Sequence, residues 1–178
     1  NGGLGKSVCK SLIKNNHPFI ALDKSQIEDF EIAEKSIINT TVDITESNLM
    51  ESKVLTLSEN LQISWVINCA GRAFRGEICE MSEVDRINFW KLMIITRINI
   101  ISWAQKYSKQ VPHIGLINIS SSSSFLPLIN FAEYSVANAA LRLIGKVGSG
   151  KYKNFTLHTV IPGGMKTNLM SATGEIDK

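Results

Sequence analysis

The segment Ile63-Ser-Trp-Val-Ile-Asn-Cys-Ala-Gly71 carries the pattern that decides the fold. Ile63–Cys69 is a short and strongly apolar run, typical of a strand that is buried on both faces. Its end, Asn68-Cys-Ala-Gly71, is polar and turn-forming. The arrangement recurs twice, because serines follow Ile114–Ile119 and a proline with two glycines follows Phe155–Ile161. The chain therefore contains several buried strands with polar residues at their carboxyl ends.

Helical patterns separate these strands. The sequence predicts, in order, a helix over Gly5–Asn15, strands over Pro18–Leu22 and Ile37–Val42, a helix over Glu46–Asn60, the strand Ile63–Cys69, one long helix over Ser82–Lys109, the strand Ile114–Ile119, a helix over Tyr134–Lys146 and the strand Phe155–Ile161. Strands that alternate with helices indicate βαβ units. We therefore expect an α/β protein with a doubly wound parallel sheet.

Composition narrows the function classes. The 178 residues are 44% hydrophobic, which is enough for one domain, residues 1–178, with a sizeable core. A net charge of +3, spread along the chain, excludes a basic nucleic-acid surface. Lys91 and Arg97 interrupt the most hydrophobic run, Ile87–Trp103, and such charges cost about 2.5–3.5 kcal/mol each in a membrane. We expect a protein with no membrane span.

The cysteines and histidines show no metal-ligand spacing. Three cysteines, an odd number, favour reduced thiols and a cytoplasmic location. The chain starts at Asn1 within a glycine cluster and without an initiator methionine, so we expect a fragment of a longer domain.

A glycine cluster, Asn1-Gly-Gly-Leu-Gly-Lys-Ser7, precedes the first helix. Glycines allow a close backbone approach, and a helix N-terminus offers N–H groups to an anion. Gly5-Lys6-Ser7 also resembles the end of a Walker A loop, which leaves a nucleoside-triphosphate site as an alternative; no later residue offers a convincing magnesium partner. Asp23 lies eighteen residues after Gly5, where a dinucleotide site needs a carboxylate for the ribose hydroxyls.

Two further polar residues are candidates for the functional site. Ser121 follows the strand Ile114–Ile119, and Tyr134 comes thirteen residues later. Ligands of open α/β sheets bind at the carboxyl ends of the strands, so these residues are expected at the site.

On these motifs the chain resembles the short-chain dehydrogenase/reductase family, from Gly2 to about Met170. The resemblance implies a Rossmann-like, three-layer αβα fold whose first strand would precede Asn1 and whose C-terminal end would follow Lys178. It implies NAD as the cofactor, since Asp23 matches the position that favours NAD over NADP. The cofactor contacts that it implies are Gly3, Leu4, Gly5, Asp23, Asp43, Ile44, Asn68, Ala70, Gly71, Tyr134, Pro162, Gly163 and Thr167.

The resemblance also implies the catalytic residues. Ser121 and Tyr134 match the family's serine and tyrosine, but the motif Tyr-x-x-x-Lys reads Tyr134-Ser-Val-Ala-Asn138 here. Aligned on Asp85-Arg86, the helix before them has Lys91 where the family has a catalytic asparagine. The asparagine and the lysine therefore look exchanged.

The exchange matters because a free tyrosine has a pKa near ~10, and a nearby cation favours its phenolate. Two outcomes stay open: Lys91 supplies the charge, or the site is degenerate. The resemblance implies NAD(H)-dependent interconversion of a small-molecule alcohol and a carbonyl. The alternative is a catalytically silent NAD(H)-binding protein. The long helix is apolar on more than one face, and we expect a homodimer or homotetramer.

Overall fold

The computed structural model of the chain describes residues 2–25, 37–59, 61–148, 152–165 and 169. Its elements, in order, are helix α1 Gly3–Lys14, strands β1 Phe19–Asp23 and β2 Ile37–Thr41, helix α2 Ser47–Leu57, strand β3 Trp65–Asn68, helix α3 Glu83–Trp90, the π-helical turn Lys91–Ile95, helix α4 Thr96–Tyr107, strand β4 Ile114–Ile119, the short 3-10 turn Ser122–Ser124, helix α5 Ala132–Val147 and strand β5 Phe155–Val160. Every strand predicted from the sequence is present.

The strands pair in parallel, as predicted. β1 pairs with β2, so that Asp23 lies beside Thr41. β4 lies between β3 and β5, and Asn118 is in register with both Asn68 and Thr159. Parallel pairing brings the carboxyl ends of β3, β4 and β5 to one edge of their sheet. Parallel strands with flanking helices confirm the predicted α/β class.

The main core lies between the three-stranded sheet and α2 and α4. Ile114 and Leu116 of β4 are fully buried there, against Ile101 and Ala104 of α4. These strand residues alternate along one face, while Gly115 lies on the other face. A Cβ on Gly115 would lie 2.3 Å from the Trp65 ring, so glycine lets this indole cross β4.

Helix α5 approaches β5 closely at a glycine. A Cβ on Gly145 would lie 2.0 Å from Thr159 Oγ1 and 3.0 Å from its Cβ. Real Cβ atoms essentially never come under 3.0 Å, so this crossing requires glycine. Gly145 therefore sets the depth at which α5 packs on the sheet.

The predicted helix Ser82–Lys109 is not one regular helix. It starts as expected, because Ser82 is the N-cap and its hydroxyl accepts a hydrogen bond from the Asp85 N–H. The π-helical turn Lys91–Ile95 then interrupts it, and both the N–H and the hydroxyl of Thr96 donate to the Lys91 carbonyl. The π turn is a correction to the sequence prediction, which has no signal for a five-residue hydrogen-bonding step.

Candidate active site

Backbone hydrogen bonds join the loops that follow β4 and β5. The Ser120 N–H donates to the Val160 carbonyl at 2.8 Å, and the Ser122 N–H donates to the Pro162 carbonyl at 3.0 Å. Ser121 lies between these two anchors, and its hydroxyl oxygen accepts from the Ser123 N–H at 3.2 Å. Ser121 is half-buried, so its side chain is held in place at the edge of the sheet.

A second contact fixes α5 against this edge. The hydroxyl of Ser120, a buried residue, donates to the Asn138 carbonyl of α5 at 2.9 Å. Asn138 lies one turn after Tyr134. The strand that leads to Ser121 and the helix that carries Tyr134 are therefore tied together.

Tyr134 is half-buried in the first turn of α5. Its ring packs against the cluster that contains Phe89, Met93 and Leu141, and it meets the Phe131 ring edge-on at 6.3 Å between centroids. This packing limits the side-chain freedom of the phenol.

The neighbouring residue Glu133 anchors the same turn to α3. Glu133 is 6% exposed, and its carboxylate accepts from the Arg86 guanidinium and from Trp90 Nε1, the latter at 2.7 Å. A buried carboxylate is stable only when it is paired and hydrogen-bonded, as it is here. The start of α5 is thus fixed on both sides of Tyr134.

Asn138 points back into its own helix. It is 1% exposed, and Nδ2 donates to the Tyr134 carbonyl at 2.8 Å. At the position of the family's motif lysine, the structure therefore engages the Asn138 amide in an intrahelical hydrogen bond.

Lys91 forms an ion pair away from α5. Its Nζ lies 2.8 Å from Glu46 Oε1, the residue that precedes α2. Its charge also contributes to lowering the Asp43 pKa. The structure therefore pairs the Lys91 ammonium with Glu46. Of the two outcomes that the sequence left open, this contact gives no support to Lys91 as the source of charge for Tyr134.

Arg97 is a charged residue of this region that the sequence analysis did not assign to the site. It is 2% exposed, with Nε donating to the Met93 carbonyl at 3.0 Å and Nη2 to the Ala70 carbonyl at 2.5 Å. Burial lowers the Arg97 pKa to about 10, while Cys69 and Tyr134 act against this shift. The sequence feature that could have pointed to Arg97 is its position as a charged residue within the most apolar run of the chain, Ile87–Trp103.

The glycine motif is at the N-terminus of α1, as predicted. Gly3, Leu4 and Gly5 form its first turn, Gly2 is the N-cap, and no side chain caps the helix. A Cβ on Gly5 would lie 3.8 Å from the Cys69 Cβ, so this turn faces the residue after β3. A helix N-terminus without a side-chain cap can take an anionic group.

The acidic residues follow β1 and β2. Asp23 ends β1, and its Oδ1 accepts from the Ser25 N–H at 3.0 Å and from the Ser25 hydroxyl at 2.9 Å. Burial raises the Asp23 pKa, but hydrogen bonds, including those from Ser25, outweigh it and hold the pKa below its usual value. For Asp43, hydrogen bonds from Thr45 lower the pKa in the same way, with Lys24 adding to the effect. Both carboxyls are therefore charged at neutral pH.

The remaining predicted contacts are distributed around the same edge. Asn68 is buried, and its Oδ1 accepts from the Ala70 N–H at 3.2 Å. Ile44 packs on the main core, Gly71 lies near the Arg97 guanidinium, and Gly163 has open space around it. Thr167 lies outside the described residues.

Comparison with known proteins decides the family. A family model described as short chain dehydrogenase matches residues 1–177. The chain belongs to the short chain dehydrogenase family.

A curated relative of this short chain dehydrogenase is the 3-ketodihydrosphingosine reductase TSC10 of Candida glabrata. The two are 25% identical over 132 residues, which cover 74% of this chain. The chain spans about a third of that relative's length, since the match covers 36% of it.

Solved structures share the fold of this short chain dehydrogenase. ElxO with NADP bound superposes with a TM-score of 0.82 at 19% identity, covering 99% of this chain and 77% of ElxO. A short-chain dehydrogenase from Sphingobium yanoikuyae in complex with NADPH gives a TM-score of 0.80 at 16% identity, covering 97% of this chain and 71% of that one. At these identities the likeness extends to the fold alone.

In the described part of this short chain dehydrogenase, no three histidine, cysteine or acidic side chains are grouped to hold a metal ion. Nor does any helix there have the length and apolar character needed to cross a membrane. Cys9, Cys69 and Cys79 are free thiols. Burial raises the pKa of the Cys9 and Cys69 thiols, so both are neutral near pH 7.

Proposed function

We propose that the protein is an NAD(H)-dependent oxidoreductase that interconverts an alcohol and a carbonyl. Tyr134 is the general acid/base, and Ser121 holds the substrate oxygen. The observation that carries this proposal is the Ser120–Asn138 hydrogen bond of 2.9 Å, which ties the Ser121 strand to the Tyr134 helix. Membership of the short chain dehydrogenase family supports it.

The described residues fit a dinucleotide cofactor. The α1 N-terminus has no side-chain cap, so its first-turn N–H groups suit a pyrophosphate. Asp23 is charged at neutral pH and ends β1, where a carboxylate suits two ribose hydroxyls. When bound, the nicotinamide supplies or accepts the hydride. The ionised carboxylate of Asp23 favours NAD, because it repels a 2′-phosphate.

In reduction, the Tyr134 hydroxyl donates its proton to the carbonyl oxygen of the substrate. The Ser121 hydroxyl donates a hydrogen bond to the same oxygen and stabilises the charge that develops on it. In oxidation, the phenolate of Tyr134 accepts the proton of the alcohol. Fixed side chains suit these roles, because positioning lowers the entropic part of the barrier.

A catalytically silent NAD(H)-binding protein is the second candidate function. The observation that favours it is at Asn138 and Lys91. Asn138 is neutral with its Nδ2 on the Tyr134 carbonyl, and the Lys91 ammonium is paired with Glu46. Neither residue then supplies a cation to the phenol.

Turnover separates the two candidates. The whole protein is incubated with NADH and a panel of carbonyl compounds that includes 3-ketodihydrosphingosine, the substrate in the relative's name. We expect reduction of at least one compound. Tyr134→Phe lowers kcat by about 100-fold or more, since positioned general acids typically contribute that much. Tyr152→Phe, which removes a hydroxyl from an exposed tyrosine, is the matched control. NADH binding without turnover of any compound would favour the silent candidate.

A further inference from the structure

The guanidinium of Arg97 is a buried positive charge that no carboxylate of the described residues pairs with. Arg97 lies in α4 and is 2% exposed. Its two hydrogen bonds, from Nε and Nη2, both end on backbone carbonyl oxygens, those of Met93 and Ala70. Its Nη1 is buried and has no hydrogen-bond partner among the residues that the structure describes. No carboxylate pairs with it in the described ranges.

Such a charge is costly to keep. An uncompensated buried cation loses its hydration, and a well-packed apolar residue is often at least as stable in the same place. Burial lowers the Arg97 pKa to about 10, so the group still carries its charge at neutral pH. Packing of α4 alone does not require a cation here.

Cys69 precedes Ala70, whose carbonyl accepts from Arg97 Nη2, and the Tyr134 ring packs on the buried cluster that contains Met93, whose carbonyl accepts from Arg97 Nε. Cys69 and Tyr134 both interact electrostatically with the Arg97 charge. Burial raises the pKa of the Cys69 thiol, which keeps it neutral near pH 7. Of these two side chains, Tyr134 is the one to which the proposed function assigns a proton exchange with the substrate.

Met93 connects the two side chains. Its carbonyl accepts from Arg97 Nε at 3.0 Å, and its side chain belongs to the buried cluster on which the Tyr134 ring packs. A Cβ on Gly71 would lie 3.4 Å from Arg97 Nη2 and 3.6 Å from Met93 Sδ. Arg97 is therefore held at the end of β3, next to the cluster that holds the phenol.

Three other cations of the described residues have partners of their own. Lys91 pairs with Glu46, and Arg86 with Glu133. The Arg142 guanidinium lies over the Phe125 ring, 4.4 Å from its centroid.

We propose that Arg97 is the cation that stabilises the phenolate of Tyr134, from α4 rather than from the position four residues after the tyrosine. The inference rests on the proposed function, in which Tyr134 exchanges a proton with the substrate. Arg97 acts through Tyr134 and is a positioning residue. A cation beside the phenol lowers its pKa, and each pKa unit raises the fraction of phenolate at neutral pH about tenfold.

The test compares Arg97→Met, Arg97→Lys and Lys106→Met in the whole protein. Arg97→Met removes the charge from an apolar site, and Arg97→Lys keeps it. Lys106→Met removes one charge from the exposed last turn of the same helix. Far-ultraviolet circular dichroism and thermal unfolding establish that each variant is folded.

Two readouts are followed against pH. The first is kcat for carbonyl reduction and alcohol oxidation. The second is phenolate absorbance, taken as the difference between each variant and its Tyr134→Phe counterpart, which isolates Tyr134 and requires no turnover. We expect Arg97→Met to lower kcat for alcohol oxidation at neutral pH by about tenfold or more, and to move the pH profile and the phenolate signal to higher pH. Arg97→Lys stays near wild type, and so does Lys106→Met.

Two results would overturn the inference. One is a phenolate titration that is unchanged in Arg97→Met. The other is a Lys91→Met variant that moves the phenolate signal while Arg97→Met does not, which would return the role to Lys91. If the wild type turns over no substrate, the proposed function fails, but the phenolate titration still decides the role of Arg97. Should Arg97→Met fail to fold, Arg97→Gln is titrated in its place.

Discussion

The side-chain amide of Asn138 donates a hydrogen bond to the carbonyl oxygen of Tyr134, one turn back in α5, at 2.8 Å. Asn138 is 1% exposed, so this bond is shielded from water. The position that would hold a catalytic lysine in the family therefore carries a residue that stabilises the helix under the tyrosine. Any positive charge that acts on the phenol therefore has to come from another element.

Asn138→Ala tests whether the amide has any role beyond the helix. We expect the free energy of unfolding to fall by about 1–2 kcal/mol, because a buried hydrogen bond and some packing are lost. The KM for NADH should change less than threefold, or about 0.6 kcal/mol. Denaturant titration and steady-state kinetics measure the two effects. A KM that rises tenfold or more would show that Asn138 reaches the nicotinamide ribose instead.

Asp23 should set the cofactor preference. We expect NADH to bind at least tenfold more tightly than NADPH, a difference of about 1.4 kcal/mol, because the carboxylate repels a 2′-phosphate. Asp23→Asn should bring the two dissociation constants closer, as it removes the charge while keeping an oxygen for Ser25. Fluorescence titration measures both cofactors. Equal affinities in the wild type, with Lys24 accepting the phosphate, would contradict the assignment.

Gly145 should be intolerant of a methyl group. Gly145→Ala improves helix propensity by about 1 kcal/mol, but its Cβ would lie 2.0 Å from Thr159 Oγ1. We expect a net loss of about 1–3 kcal/mol from overpacking. Thermal and denaturant unfolding measure it.

Thr159→Ala provides the control for this contact. It removes Oγ1, the nearest atom, so the cost of Gly145→Ala should be smaller in the Thr159→Ala background. Identical costs in the two backgrounds would show that the α5–β5 contact is not the cause.

The difference in unfolding free energy between wild type and Asp43→Asn should depend on pH. Its folded-state pKa is lowered by hydrogen bonds from Thr45, first the backbone N–H and then the side chain. A lowered carboxyl pKa stabilises the folded state above the unfolded-state pKa, near ~3.9, and the stabilisation is lost as pH falls through the folded-state value. Wild type should therefore be slightly more stable than Asp43→Asn at neutral pH. Urea titrations should show the difference shrinking as pH falls below about 3.9 and vanishing below the lowered folded-state pKa. A difference that grows in acid would contradict this sign.

We propose that the protein assembles through α3 and α5. Apolar side chains are exposed on these helices, including Ile87 at 60%, Leu143 at 59% and Val147 at 72%. Exposed apolar side chains on two helices could together form an interaction surface, which the oligomeric state would reveal. Light scattering of the whole protein should give a dimer or tetramer, and Leu143→Glu should produce a smaller species.

Leu55→Glu is the matched control for assembly. Leu55 is an apolar residue of α2 with 52% exposure, similar to that of Leu143. Leu55→Glu should leave the oligomer intact. A wild-type protein that is monomeric at micromolar concentration would refute the assembly.

The strands were predictable because their signal is local. Ile114–Ile119 is found with the predicted bounds, since a buried parallel strand is apolar along its whole length and the serines after it end the run. The family resemblance depends on the same stretches, and the family match over residues 1–177 confirms it. The roles of Ser121, Tyr134 and the cofactor contacts stay predictions.

Sequence patterns were enough to predict the α/β class, the order of the elements and the edge of the sheet at which polar residues collect. These follow from periodicity and turn residues, which act within a few positions of the chain. The partners of the charged side chains became visible only in the folded chain. A lysine or arginine head group extends several ångströms from its backbone, so its partner depends on which elements pack beside it. Lys91 therefore meets Glu46, Asn138 turns back to Tyr134, and Arg97, which local sequence marks only as a charge in an apolar helix, is buried between the end of β3 and the cluster that holds Tyr134.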